Sequence, residues 1–417
     1  MSSAVLFSNA TLVDGTVAEP RPGFHLLVED DRIKEISDKP IQFGQDDLRK
    51  IDLAGATLMP GLIDAHVHVK ATVMSLGSLN NIPSTYLFAG AANIMEDMLM
   101  RGFTTVRDAA GADRGLADAV EHGLMVGPRL FVSGLALSQT GGHADFRSPT
   151  ESAAVVTCAC QVNTQQLGRI ADGVDECRRA ARDELRKGAH QLKIMAGGGV
   201  ASPTDPIQNT QYSIEEITAI VDECKAWHTY ALAHAYTPAA IQRAVRCGVR
   251  SIEHGNLIDA ETAALMAEHD VFHVPTGITY IALNKHGREL GMPEVSMGKL
   301  QEIIDAGLQA VETTRDAGVS IGHGSDLLGI THEYQADELS LKAEVLGNHG
   351  AIKSATLTNA RLLQREGELG ELVVGAKADL LVVNGDPIKD LGLLQNQGRH
   401  MPLIMRDGQI FKDEMTH

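Results

Sequence analysis

Two histidines, His66 and His68, close the apolar run Leu58-Met59-Pro60-Gly61-Leu62-Ile63-Asp64-Ala65-His66-Val67-His68. On a β-strand, residues i and i+2 project to one side, so both imidazoles can reach one metal ion at a strand's C-terminal edge. Two ligands do not complete a site. The chain must bring further ligands to the same place, which favours a fold whose strands all end on one face.

The middle of the sequence has the pattern such a fold needs. Short apolar runs at 58–68, 104–107, 129–133, 191–195, 230–234, 251–254, 271–274 and 320–323 read as strands. Helical stretches at 85–101, 172–187, 213–227 and 299–317 alternate with them. Strand and helix in alternation give βα units and a parallel sheet. The length available suits a (β/α)8 TIM barrel at residues 57–365. The connection 139–171 follows the third strand and is the main insertion, expected over the active-site face.

The two ends have another character. Val5-Leu6-Phe7, Thr11-Leu12-Val13 and the runs flanking Asp30-Asp31 read as strands, the last two as a hairpin. So do Glu371-Leu372-Val373-Val374, Asp379–Val383 and Leu403-Ile404-Met405. Neither end can bury a core alone. Residues 1–56 and 366–417 are therefore expected to form one composite β-sandwich, with the barrel inserted between them.

Strand ends inside the barrel carry chemistry. Lys193 lies on the fourth strand, His234 ends the fifth, His254 ends the sixth, and Asp326 follows the eighth. Barrel active sites are built where strands end. Each residue alone has a plain reading, such as a bonded core histidine, a snorkelling lysine or a helix cap. Their joint placement would then need a separate coincidence at every strand. Gly197-Gly198-Gly199 is not a phosphate loop, since no Lys-Ser/Thr follows. It is expected to let backbone approach substrate, with residues 200–206 as a wall. Thr279 and Tyr280 are pocket or core residues, with neither reading favoured. His273, His323 and His332 read as satisfied structural histidines. Cys158-Ala159-Cys160 reads as free thiols in a loop, and the odd set of five cysteines suits a reducing compartment.

Met59–His68, Gly102–Asp108, Ser138-Gln139-Thr140-Gly141-Gly142-His143-Ala144-Asp145, Lys193-Ile194-Met195 and Gly198–Pro203 together resemble the amidohydrolase superfamily. Ala233-His234-Ala235-Tyr236, Ile252-Glu253-His254-Gly255 and Ser325–Gly329 extend the likeness over nearly the whole chain and are similar to the prolidase-like dipeptidases. The resemblance implies that His66, His68 and Asp326 hold one divalent metal and that His234 and His254 hold a second. It implies a carboxylated Lys193 bridging them. Zn²⁺ is the implied metal, while imidazole and carboxylate donors also suit Mn²⁺ or Co²⁺. Asp326 is then the proton carrier, and His143 and Tyr236 bind substrate and stabilise its oxyanion. Val200 and Thr279 are further candidate substrate contacts.

The expected activity is binuclear metal-dependent amide hydrolysis, with a prolidase-type dipeptidase acting on Xaa-Pro or other small dipeptides as the leading reading. The alternative is hydrolysis of N-acyl amino acids, for example an ochratoxin-type acyl-Phe amide. Deamination of a cyclic amidine and a non-catalytic scaffold are more distant. A formal net charge of −18 argues against nucleic acid or anionic membrane as partner. The N-terminus lacks the basic and apolar regions of a secretory signal. A cytoplasmic enzyme with a small-molecule substrate is expected, and the resemblance implies a homo-oligomer.

Overall fold

The computed structural model describes residues 4–44, 48–147, 167–202, 205–292 and 294–415. Cys158 and Cys160 lie outside the described residues. The first strands are β1 (Ala4–Leu12), β2 (Arg21–Glu29), β3 (Arg32–Ser37), β4 (Leu48–Asp52) and β5 (Thr57–Pro60). Then come β6 (Leu62–Val67), β7 (Phe103–Asp108), β8 (Arg129–Val132), β9 (Ala136–Ser138), β10 (Gly168–Ile170) and β11 (Leu192–Met195). They are followed by β12 (Ala231–Ala235), β13 (Ser251–His254), β14 (Phe272–Val274), β15 (Leu380–Val383), β16 (Leu403–Arg406) and β17 (Gln409–Asp413).

Both chain ends enter one sheet, ordered β17-β16-β15-β5-β1-β2-β3, with β4 beside the first half of β1. The hairpin around Asp30-Asp31 is present, with Glu29 opposite Arg32. Three expectations need correction. The runs at Val5 and Thr11 belong to one strand, made irregular where Asn9 takes a left-handed backbone (φ 55°). Glu371–Val374 forms no strand; it passes through a turn that ends at Gly375. Segment 58–68 is two strands rather than one. β5 pairs with β15 and β1 in the mixed sheet, Gly61 breaks the run, and β6 opens the barrel.

The barrel strands are parallel and lie in two arcs, β6-β7-β8 and β10-β9-β11-β12-β13-β14. Short β9 and β10 were not foreseen; three-residue strands fall below what alternation can reveal. Between β8 and β11 the His190 N–H donates to the Val132 carbonyl (2.8 Å). Segment 320–323 is no regular strand, but it spans the other gap. His273 N–H donates to the Ser320 carbonyl (3.0 Å), and Ala65 N–H to the His323 carbonyl (2.8 Å). Among the described residues no helix is long and apolar enough to cross a membrane.

Barrel and mixed sheet are tied by a polar clamp. Arg129, at the start of β8, pairs with Asp379 (2.5 Å) and Asp407 (2.5 Å) beside β15 and β16. At the junction itself a side chain on Gly61 would stand 2.0 Å from the Thr104 hydroxyl and 2.5 Å from its methyl. The Gly61→Ala variant is expected to lose about 1–3 kcal/mol by overpacking. A urea titration of the metal-loaded protein measures this, and an unshifted midpoint would count against the close approach.

Candidate active site

All ten residues singled out in the sequence line one cavity of about 630 Å³ at the C-terminal ends of the barrel strands: His66, His68, His143, Lys193, Val200, His234, Tyr236, His254, Thr279 and Asp326. His66 lies on β6, Lys193 on β11, His234 on β12 and His254 at the end of β13. Tyr236 follows β12 directly, because Thr237 caps the next helix through Ala240 N–H and Pro238 takes its first turn. His254 and Asp326 both adopt left-handed backbone (φ 76° and 51°). Non-glycine residues rarely do so, and such strain collects at functional sites.

Ligand atoms of His66, His68 and Asp326 all lie within 4.8 Å of one another, a group able to hold a metal ion. The Nε2 atoms of His66 and His68 stand 3.5 and 3.1 Å from Asp326 Oδ1. Their other nitrogens are occupied: His66 Nδ1 meets Glu253 Oε2 at 2.7 Å, and His68 Nδ1 meets the Ala110 carbonyl at 3.1 Å. That pattern fixes each ring with Nε2 toward the site, as metal-binding histidines require. His234 and His254 follow the same logic, held through Nε2 and Nδ1 respectively. His234 Nε2 lies 3.1 Å from the Gly198 carbonyl, while His254 Nδ1 lies 2.8 Å from Thr276 Oγ1 and 2.9 Å from the Tyr280 hydroxyl. Their rings are 4.6 Å apart.

Burial sets the protonation. It pushes His66, His234 and His254 well below the usual imidazole range, which leaves neutral rings with a lone pair to offer. At His68 burial acts the same way, but the hydrogen bond to Asp326 and the charges of Asp326 and Asp108 together outweigh it, and the ring is raised. Burial alone would raise Asp326; the imidazoles of His66 and His68 reverse this and hold it below the ordinary carboxylate value. Lys193 is 1% exposed and burial brings it down to about 8.

The backbone of the glycine run approaches two of the histidines. Gly198 supplies the carbonyl to His234, and a side chain on Gly199 would meet the His143 ring at 2.1 Å. His143 stacks on His234 at 4.2 Å and its Nδ1 lies 3.2 Å from Asp205 Oδ2. Of the expected wall, Val200 and Ala201 line the cavity, Asp205 stands beneath His143, and 203–204 lie outside the described residues. The Lys299 ammonium gathers this loop, donating to the carbonyls of Gly199 (2.9 Å), Ser202 (2.9 Å) and Asp205 (2.8 Å).

Sequence reasoning missed the supporting residues Glu253, Arg107, Asp64, Asp205 and Lys299. Asp64 accepts from Ser325 Oγ (2.6 Å) and from the N–H groups of His66 and Ser325, which locks β6 to the segment carrying Asp326. The signal for Asp64 and Glu253 was available: a carboxylate inside an apolar strand must have a partner. His323, read as satisfied, is buried beside Phe103 with neither ring nitrogen bonded. His273 and His332 do bond, to the His254 and Ala71 carbonyls.

The amidohydrolase family profile matches residues 57–410. The ochratoxinase of Aspergillus niger is 33% identical over 372 residues, covering 85% of this chain and 75% of that protein. A crystal structure of an amidohydrolase is similar at 51% identity and a TM-score of 0.97, covering 99% of this chain and all (100%) of the other. A prolidase crystallised with N-methylphosphonate-L-proline is similar at 47% identity and a TM-score of 0.95, again over 99% and 100% of the two chains.

Two variants test the supports. Glu253→Gln leaves His66 without its anionic partner and is expected to weaken metal affinity by about 10–100-fold, read by competition with a chromogenic chelator. Lys299→Met frees three carbonyls of the loop beneath His143. It should raise KM more than it lowers kcat, with partial rescue by Lys299→Arg; equal kinetics for all three proteins would exclude a positioning role.

Proposed function

The chain belongs to the amidohydrolase family and is a metal-dependent hydrolase of amide bonds; we propose that its substrates are dipeptides, with Xaa-Pro foremost. The observation that carries this reading is the 47% identity, across nearly the whole chain, to a prolidase holding a proline phosphonate. The apolar wall of Leu76, Phe146, Leu283 and Leu328 around the same cavity suits a proline ring.

In this reading His66, His68 and Asp326 would hold one divalent ion and His234 and His254 a second, with Lys193, once carboxylated, as a further ligand. The donor set suits Zn²⁺. When bound, such ions supply Lewis acidity and a water acidic enough to be a nucleophile near neutral pH. Lys193 is prepared for its part by burial. With its pKa lowered by burial to about 8, roughly a tenth is free amine at pH 7, and that nitrogen can bond to the carbon of CO2 with loss of a proton. The carbamate so formed is an anion where an ammonium could not serve as ligand.

Asp326, kept ionised by its imidazole neighbours, accepts the proton of the attacking water and returns it to the departing nitrogen. Tyr236 keeps its proton, because burial raises the phenol well above its usual range. It can donate to the carbonyl oxygen as charge develops there. The Tyr280 hydroxyl, 2.8 Å away, orients it. Asp205 holds the His143 ring through Nδ1, which leaves Nε2 free to contact the bound substrate. Val200 and Thr279 border the bound substrate.

A second reading is favoured by the likeness to the ochratoxinase and by one structural feature. A neighbouring chamber of about 800 Å³ shares Leu76, Phe146, Ala201, Leu283 and Leu328 with the main cavity. It offers space for a bulky aromatic acyl group. A hydrolysis panel on protein reconstituted with zinc and bicarbonate, its metal counted in the same sample, separates the two. Xaa-Pro dipeptides are expected to be cleaved with the highest kcat/KM. Turnover of N-acyl-phenylalanine alone would reverse the assignment.

A further inference from the structure

At the other end of the barrel, where β8 and β11 begin, a separate cavity of about 1070 Å³ opens against the mixed sheet. It shares no lining residue with the catalytic cavity. Five cations line it, Arg114, Arg129, Arg365, Lys377 and Arg406, together with two carboxylates, Glu121 and Asp407. Both carboxylates are matched: Asp407 by Arg129 (2.5 Å) and Lys377 (3.2 Å), Glu121 by Arg114 (3.2 Å). From outside the lining Asp118, Asp379 and Asp31 hold Arg114, Arg129 and Lys377, and Glu368 stands 3.7 Å from Arg365. Charge alone therefore does not mark a site; the donors do. His190, two residues before β11, also lines the cavity. Its Nδ1 lies 3.0 Å from the Val132 N–H, and its Nε2 lies 3.3 Å from Arg114 Nη1. Burial and the Arg114 and Arg365 cations bring this imidazole down to about 4, so it is neutral near pH 7. A neutral ring carries one proton. With a donor facing each nitrogen, one of the two contacts must set donor against donor. The backbone bond from β8 makes Nδ1 the acceptor, which leaves Nε2–H and Arg114 Nη1 as two donors side by side. Both are within reach of a ligand, since the Arg114 side chain is 40% exposed and His190 is half-buried. Arg365 flanks them: its guanidinium lies 5.5 Å from the centre of the Phe131 ring, against which His190 also packs at 5.3 Å.

Two adjacent N–H donors with a guanidinium beside them suit an oxygen-rich anion, which accepts several hydrogen bonds at once. We propose that this cavity is an oxyanion site that takes a phosphate group, held by Arg114 Nη1, His190 Nε2–H and Arg365. One phosphate oxygen accepts from Arg114 and His190 together, which removes the donor-to-donor contact. Water would accept as well but carries no charge, whereas the two guanidinium groups favour an anion. The bound group would join the barrel, through Arg114 and His190, to the segment that leads into the mixed sheet, through Arg365. The proposal stands apart from the assignment of dipeptide substrates, and its failure would leave that assignment untouched.

The test is a calorimetric titration of the metal-loaded full chain with orthophosphate at fixed ionic strength, with chloride as control. Catalytic metals also attract phosphate, so two variants separate the sites. His190→Asn keeps an acceptor for the Val132 N–H and removes the Nε2 proton, while Arg365→Gln removes the flanking charge. Each is expected to weaken phosphate binding at least about tenfold, with dipeptide turnover in the absence of phosphate unchanged. Arg365→Lys should recover part of the affinity. Phosphate should also raise the thermal midpoint of the unaltered protein more than that of either variant. Equal phosphate affinity in the unaltered protein and both variants would put all binding at the catalytic metals and overturn the proposal. Absence of saturable binding, or a chloride effect as large as that of phosphate, would do the same. A parallel titration with glycerol phosphate identifies the source: tighter binding than orthophosphate supports the phosphoryl group of a larger molecule, weaker binding supports free phosphate.

Discussion

Inside the barrel, three strands meet at one buried ion pair. Arg107 on β7 and Glu253 on β13 are both fully shielded from water and stand 2.8 Å apart. Each remaining guanidinium nitrogen has a partner: Arg107 also bonds the Ala65 carbonyl (2.5 Å) and Ser251 Oγ (3.1 Å). Glu253 accepts from Ser251 and from His66. Charges in such a place are tolerated only when every group is satisfied, because an uncompensated buried charge costs several kcal/mol. The consequence for chemistry is specific. With Nδ1 donating to a carboxylate that cannot leave, His66 has one tautomer and one orientation, and its Nε2 lone pair faces Asp326.

The same economy governs the rest of the site. Asp64 spans β6 and the segment before Asp326, Thr276 and Tyr280 hold His254, and the Gly198 carbonyl holds His234. Left-handed backbone at His254 and Asp326 is paid for by this over-determination. Strand ends alone could not do it. A strand positions a Cβ, while the ring behind it needs a second bond to stop turning.

That distinction explains what was legible in the sequence. His66, His68, Lys193, His234, His254 and Asp326 could be found because strand periodicity and barrel topology place residues by local pattern, and the cavity gathers all six. The mixed sheet was legible in outline for the same reason, since each end carried apolar runs without a helix to cover them. What local pattern does not contain is the choice of partner across the barrel. Arg107 with Glu253, and Asp205 with His143, are separated by many residues and joined only by folding. Segment 320–323 shows the limit from the other side. It reads as a strand and makes a strand's hydrogen bonds to Ala65 and His273, yet its pairing is too broken to be a ladder. Gly61 is the opposite case, where one missing side chain divides a single apolar run between two sheets.

Two kinds of support therefore meet at the cavity, and they differ in stiffness. His66, His68, Lys193, His234 and His254 stand on or beside parallel strands whose interior is packed and ion-paired. His143 stands on a loop, stacked on His234, backed by Gly199 and held from outside by Lys299 through three carbonyls. Barrel strands cannot shift without breaking the Arg107–Glu253 pair, so variation in metal geometry is expensive. The loop can be retuned by changing one half-buried ammonium and the carbonyls it gathers. A fold built this way can keep one hydrolytic centre while its substrate contacts change, which is consistent with an ochratoxinase and a prolidase lying within the same structural likeness.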